Sequence, residues 1–169
     1  MLRFTYKIEE HGWATTHISD GANELTLHSS RVTGGDIEDL AEKVVALLRA
    51  DQEGVAIKLR CSWGDEPGEY RWVLENDGGN LRIDILWFDN SRSRLEDEKG
   101  KVLFATQCSL LKFAIQIKTE LRSAVDTIGK EEYKKRSGRD FPERIYDELK
   151  SLIRAEQLRF RGGSRQPRV

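Results

Sequence analysis

The chain opens on a strict alternation. Leu2, Phe4, Tyr6 and Ile8 interleave with Arg3, Thr5, Lys7 and Glu9, the period of two of a strand buried on one face. Gly12 ends it. Trp13 to Ser19 and Glu24 to Ser29 predict two more strands joined by a turn at Asp20–Gly21, with Thr and Ser diluting the alternation. Gly34–Gly35 then breaks the chain, and Asp36 stands where a helix cap is needed. Ile37, Leu40, Ala41, Val44, Leu47 and Leu48 recur at helical spacing, so a helix is expected from Ile37 to Ala50.

Three strands follow. Val55, Ile57, Leu59, Cys61 and Trp63 share one face, and Lys58, Arg60 and Ser62 the other. Asp65 to Gly68 reads as a turn around Pro67 and Gly68. Tyr70, Trp72 and Leu74 alternate with Glu69, Arg71, Val73 and Glu75, and Asp77–Gly78–Gly79 makes the next tight turn. Leu81, Ile83, Ile85 and Trp87 alternate with Arg82 and Asp84 until Leu86 and Phe88 make both faces apolar. Asp89 to Lys101 is polar and reads as an exposed loop. From Thr106 a helical period returns: Leu110, Ala114, Ile117, Leu121, Ala124 and Ile128 form a seam, with Gly129 as its stop. A short helix from Lys130 to Arg136 follows. Asp140, Pro142 and Glu143 form a helix start, and Ile145, Leu149, Leu152 and Ile153 mark the last helix.

One apolar strand face against one of mixed charge fits an antiparallel sheet shielded on a single side, not a parallel sheet buried on both. The expected fold is α+β: a mainly antiparallel sheet of about six strands, in the order βββαβββαα, with helices packed on one face. Residues 1–158 are expected to form a single domain and 159–169 a disordered basic tail.

Charge refines this picture. The 169 residues carry a formal net charge of −1, so no global field draws the chain to nucleic acid or membrane. Arg159, Arg161, Arg165 and Arg168 stand in a tail without acids, which leaves the body mildly acidic. No apolar run matches a signal peptide or the roughly 20 residues that span a bilayer. The expected compartment is the cytoplasm. Cys61 and Cys108 show no metal or redox spacing and read as small buried residues.

Candidate chemistry is sparse. His17 and His28 fall on neighbouring predicted strands, where hairpin pairing brings two rings close, and with Trp13 they define a candidate ligand cleft. Asp65, Glu66 and Glu69 cluster at one turn, either as an ordinary solvated turn or as a binding edge. Trp63, Trp72 and Trp87 lie on successive strands, where core packing competes with an aromatic platform. Gly34–Gly35 and Gly78–Gly79 are too short for phosphate loops, and no hydrolase, zincin or nucleotide-binding signature is present. No cofactor, metal or catalytic residue is expected.

The segments Gly12-Trp13-Ala14, DEPGEYRW from Asp65 to Trp72, ILWFDN from Ile85 to Asn90, and Gly129…Tyr133…Asp140-Phe141-Pro142 resemble, in that order, an uncharacterised bacterial protein family. They span most of the chain up to about Leu152. The family pattern often carries a tryptophan near the place of Ser137. Small proteins of this look are similar in type to immunity proteins encoded beside polymorphic or contact-dependent toxins. The resemblance implies a non-catalytic protein-binding module with a cognate toxin as partner. An acidic body suits a basic toxin such as a nuclease. The charged sheet face then supplies the candidate contact residues Asp65, Glu66, Glu69, Arg71, Glu75, Arg82 and Asp84. Two alternatives stand beside it: a small enzyme or ligand-binding domain using the Trp13, His17 and His28 cleft, and a structural or regulatory subunit that self-associates through its long helix.

Overall fold

The computed structural model describes residues 1–30, 36–90 and 94–163, with side chains as far as Phe160. Seven strands form one antiparallel sheet in sequence order: β1 (Arg3–Ile8), β2 (Trp13–Ser19), β3 (Glu24–Ser30), β4 (Lys58–Asp65), β5 (Gly68–Asp77), β6 (Asn80–Phe88) and β7 (Lys101–Ser109). Four helices complete the fold: α1 (Ile37–Gln52) between β3 and β4, then α2 (Leu110–Ile128), α3 (Lys130–Ser137) and α4 (Glu143–Gly163) after β7. The expected α+β class is found. The element order is βββαββββααα: α3 is the short helix expected from Lys130, and the sheet has one strand more than the expected six.

The extra strand is β7. Its residues Val102, Leu103 and Phe104 form an apolar run rather than an alternation. The register explains why: Ile85 pairs with Phe104 but Leu86 pairs with Val102, so Leu103 is the odd residue of a bulge. Cys108, expected at a helix start, lies on β7. Ser109 caps α2 instead, its hydroxyl accepting from Lys112 N at 3.4 Å. The Gly34–Gly35 break lies outside the described residues, and α4 continues through Arg159 to Gly163. Asp36 caps α1 as expected, accepting from Glu38 N. Asp140 does not cap α4: its carboxylate pairs with Lys134 at 3.0 Å, and the carbonyl of Pro142 accepts the first helical bond, from Tyr146 N.

The sheet is strongly curled. β1 and β5 are four steps apart, roughly 19 Å in a flat sheet, yet the Phe4 and Trp72 ring centroids are 6.2 Å apart. Tyr6 likewise meets Trp63. The bend falls between β3 and β4, where Ser30↔Gly64 is the register pair among the described residues. The concave side holds the core: Trp63 and Trp72 are fully buried, with centroids 4.8 Å apart. α1 lies between the sheet and α4, so its buried residues run around most of its circumference.

α2 seals the sheet edge at β1. Gln116 accepts from Phe4 N at 2.7 Å and donates to Leu2 O at 3.0 Å, while Glu120 accepts from Tyr6 N at 3.0 Å. These side chains take the place of an eighth strand, the kind of cover that keeps an edge from pairing with another chain. Among the described residues no helix is long and apolar enough to cross a membrane.

Candidate functional site: a latched convex sheet face

The convex face of β4–β7 carries the side chains that alternation turns away from the helices. Register sets them in rows. Lys58, Glu75, Arg82 and Gln107 lie side by side across the four strands, a ladder of alternating charge. The next row holds Arg60, Val73, Asp84 and Ala105. Arg71 and Leu86 share the third, with Val102 beside them. Glu69 and Phe88 share the fourth.

Towards these last rows the face is covered. The segment 94–100, with a single 3-10 turn at Asp97–Lys99, crosses it as a strap. Beneath the strap Val73, Leu86 and Phe88 form a second small core, separate from the main one. Close approach requires Gly100: a Cβ there would fall 2.7 Å from the Phe88 ring and 2.9 Å from Leu86. Its φ of −76° is ordinary, so closeness, not backbone conformation, excludes a side chain.

An arginine-centred latch holds the strap. Arg71 donates from Nη1 to the Leu95 carbonyl at 2.7 Å and to Asp97 Oδ1 at 3.2 Å, and from Nη2 to Glu69 Oε1 at 3.2 Å. Its guanidinium lies 4.0 Å from the Phe88 ring centroid, a cation–π contact. Asp97 also accepts from Arg60 Nε at 2.8 and 3.0 Å and faces Lys58 Nζ at 3.5 Å. The Arg60 hydrogen bonds, helped by Arg71, hold the Asp97 carboxyl below its ordinary value against the opposing effect of burial. Asp97 in turn pushes Arg60 up.

This arrangement places the expected contact residues in different surroundings. Glu69 and Arg71 point to the convex side as alternation requires, but they are 3 % and 7 % exposed. They fasten the strap and present no surface. Asp65 and Glu69 stand on opposite faces, so the Asp65, Glu66 and Glu69 cluster is not one site. Asp65 accepts from Tyr70 OH at 2.9 Å, while Glu66 is exposed in the turn. Burial first, and then Asp65, pushes the Tyr70 hydroxyl up to about 12. Glu75 and Arg82 are exposed, and Arg82 reaches the half-buried Asp84 at 2.9 Å.

Two exposed apolar side chains stand on this face, Leu95 on the strap and Val102 on β7, each 58 % exposed. Beside the strap a cavity of about 220 Å³ is lined by Trp87, Phe88, Asp89, Leu95, Lys99 and Lys101 among others. Trp87 is held there by Tyr70, with ring centroids 4.9 Å apart, and by its Nε1 donating to Asp89 at 2.9 Å. Gly68 makes room for it: a Cβ would come within 2.3 Å of the indole.

Sequence reasoning missed the strap and the roles of Lys58, Arg60, Leu95 and Asp97. A signal was present. Val73, Leu86 and Phe88 are apolar positions on an otherwise charged face, and such positions ask for a cover.

The Trp13, His17 and His28 set does share a face, the convex side of β2 and β3, where Thr15 pairs with His28 and His17 with Thr26. The two histidines are diagonal neighbours. Each ring lies against a cross-strand threonine, His28 Nδ1 3.3 Å from Thr15 Oγ1 and His17 Nδ1 3.2 Å from Thr26 Oγ1. Trp13 is exposed. No group of three His, Cys, Asp or Glu among the described residues is placed to hold a metal ion. Trp63 and Trp72, candidates for an aromatic platform, are core residues.

Comparison with protein-family models, with curated proteins and with solved structures finds no match for this chain.

Proposed function

We propose that the chain is a non-catalytic protein-binding module of the cytoplasm, and that it neutralises a cognate toxin in the manner of the immunity proteins its motifs resemble. The observation that carries this reading is the composition of the latched face. Leu95 and Val102 give an apolar centre, the cavity against Trp87 and Phe88 offers a socket, and charges of both signs form the rim. That is the anatomy of a protein-docking surface: a small desolvated centre within a polar border. Glu66, Glu75, Glu96 and Glu98 add exposed acids to this side of the molecule, the complement a basic toxin needs for fast, oriented encounter. Because the strap is fastened by buried charge, the surface is formed before the partner arrives, and little binding energy is spent on ordering it.

The test is co-expression with the product of the adjacent gene, followed by co-purification and by growth of cells carrying that product with and without this chain. The reading predicts a stable complex and restored growth. A Leu95→Glu/Val102→Glu double variant folds but weakens the complex about 100-fold or more, the scale of a lost interface centre. Growth unaffected by the neighbour's product, or a complex indifferent to both substitutions, contradicts it.

A further inference from the structure

The curl of the sheet creates a second site, independent of the latched face, where the two edge strands draw together without pairing. Met1 and Leu2, at the start of β1, stand across from Gln107, Cys108 and Ser109 at the end of β7, and the first turns of α2 close the space between them. The result is a cleft of about 460 Å³, a size that admits a drug-sized molecule. Its walls are mainly apolar. Phe113 is fully buried at its base. Leu2, Cys108 and Ile115 are half-buried, packed on the core and lining the cleft as well. Burial pushes the Cys108 thiol up to about 11, so the sulfur is a neutral, apolar part of the wall.

The polar groups of the cleft select the occupant. Gln116 is committed at both ends of its amide, to Phe4 N and Leu2 O, and Ser109 Oγ accepts from Lys112 N. That leaves the Gln107 amide and the Lys112 ammonium, both exposed, and neither engaged by a side-chain hydrogen bond or ion pair among the described residues. No carboxylate among the described residues lines the cleft. Clefts elsewhere do carry them: Asp51 and Asp77 under the end of α4, Glu42 and Glu53 between α1 and α4, Asp89 beside the strap. The acids of the adjoining elements are already occupied. Asp20 accepts from Ala22 N and Asn23 N, and Glu120 from Tyr6 N. An uncompensated cation on an apolar cleft fits an apolar body that displaces water from Leu2, Phe113 and Ile115, with one anionic group at Lys112. A cationic amphiphile would meet like charge there, and a sugar would set its hydroxyls unpaired against the apolar wall.

We infer that this cleft binds a small amphipathic carboxylate of the fatty-acid or aryl-acid class, its apolar body between the ends of β1 and β7, its carboxylate accepting from Lys112 Nζ, and the Gln107 amide serving as a second donor. The apolar walls supply most of the affinity, and Lys112 supplies the preference for the anion over a neutral molecule of the same shape.

Titration of the isotope-labelled full chain with decanoate, below its micelle concentration and followed by amide chemical shifts, tests this. The expected result is a saturable shift confined to Leu2 and the stretch from Gln107 to Gln116. Decanol, the neutral molecule of equal chain length, binds at the same place roughly tenfold more weakly, the scale of one charge-assisted hydrogen bond. Lys112→Gln removes that difference by weakening decanoate alone. Gln107→Glu, a separate variant at another exposed position, also weakens decanoate and spares decanol. Both variants keep the melting temperature of the unmodified chain, because neither side chain is part of the core. The absence of a saturable shift, or shifts scattered beyond the cleft, overturns the inference. So does equal affinity for decanoate and decanol, or a Lys112→Gln chain that binds decanoate as tightly as the unmodified one.

Discussion

Replacing Asp97 with alanine removes the hub of the latch, and the structure sets the size of the effect. Asp97 accepts from Arg60 and Arg71 and faces Lys58. Arg60 and Lys58 are each nearly half exposed, so their pairs are screened and contribute about 0.5 kcal/mol apiece. Arg71 is different: it is 8 % exposed by side chain, and a hydrogen bond between buried charged groups contributes about 1.5–3 kcal/mol. Glu69 and the Leu95 carbonyl remain for Arg71, so its charge is not stranded. The expected loss is about 2.5–4 kcal/mol. Arg71→Ala should cost more, about 3–5 kcal/mol, because it leaves Glu69 buried without the guanidinium. In urea unfolding, with a slope of about 2 kcal/mol/M, Asp97→Ala lowers the midpoint by roughly 1.2–2 M.

The pH dependence has a definite sign. Asp97 is held below its ordinary value of 3.8 in the folded chain. Its contribution is therefore complete above that value and lost as pH falls through the lower, folded value. The unmodified chain should lose stability below about pH 4 more steeply than Asp97→Asn. Asp20, lowered to about 2 by backbone hydrogen bonds from Asn23 and Ala22, titrates with the same sign in both proteins and cancels in the comparison. An Asp97→Ala midpoint indistinguishable from the unmodified chain, or parallel acid profiles for Asp97→Asn and the unmodified chain, would refute the latch.

Two further outcomes follow from packing. Gly100→Ala should destabilise by about 1–3 kcal/mol in the same urea assay, because the new methyl meets the Phe88 ring and must push the strap outward; an unchanged midpoint would show that the strap is not packed on the sheet. Burial pushes both thiols up, Cys108 to about 11 and Cys61 further. In the native chain at pH 8 a thiol reagent should therefore label both slowly, Cys61 only on unfolding; rapid labelling of Cys61 would contradict its place in the core.

Much of the fold was legible because most strands obey alternation. Phe4, Tyr6 and Ile8 are buried while Arg3, Thr5 and Lys7 are exposed, and the seam of α2 from Leu110 to Ala124 faces inward where spacing put it. What escaped depended on contacts distant in sequence. β7 was hidden by its bulge, which breaks the period in the residues that would have announced it. Arg71 was read correctly as pointing away from the helices, but alternation reports direction, not cover. The cover comes from Leu95 and Asp97, more than twenty residues downstream, in a stretch whose acids and lysines look like solvated loop until Lys58, Arg60 and Arg71 are set beneath it. The curl of the sheet was equally invisible, since it rests on Phe4 meeting Trp72 across three intervening strands.

Amide hydrogen exchange of the chain, alone and with the product of the adjacent gene, bears most directly on the claim that the latched convex face is where a partner docks. Peptides covering Leu86 to Phe88 and Leu95 to Phe104 should gain protection in the mixture, with β2 and β3 unchanged. Protection confined to the Trp13, His17 and His28 face, or no change along the strap in a complex that forms, would contradict it.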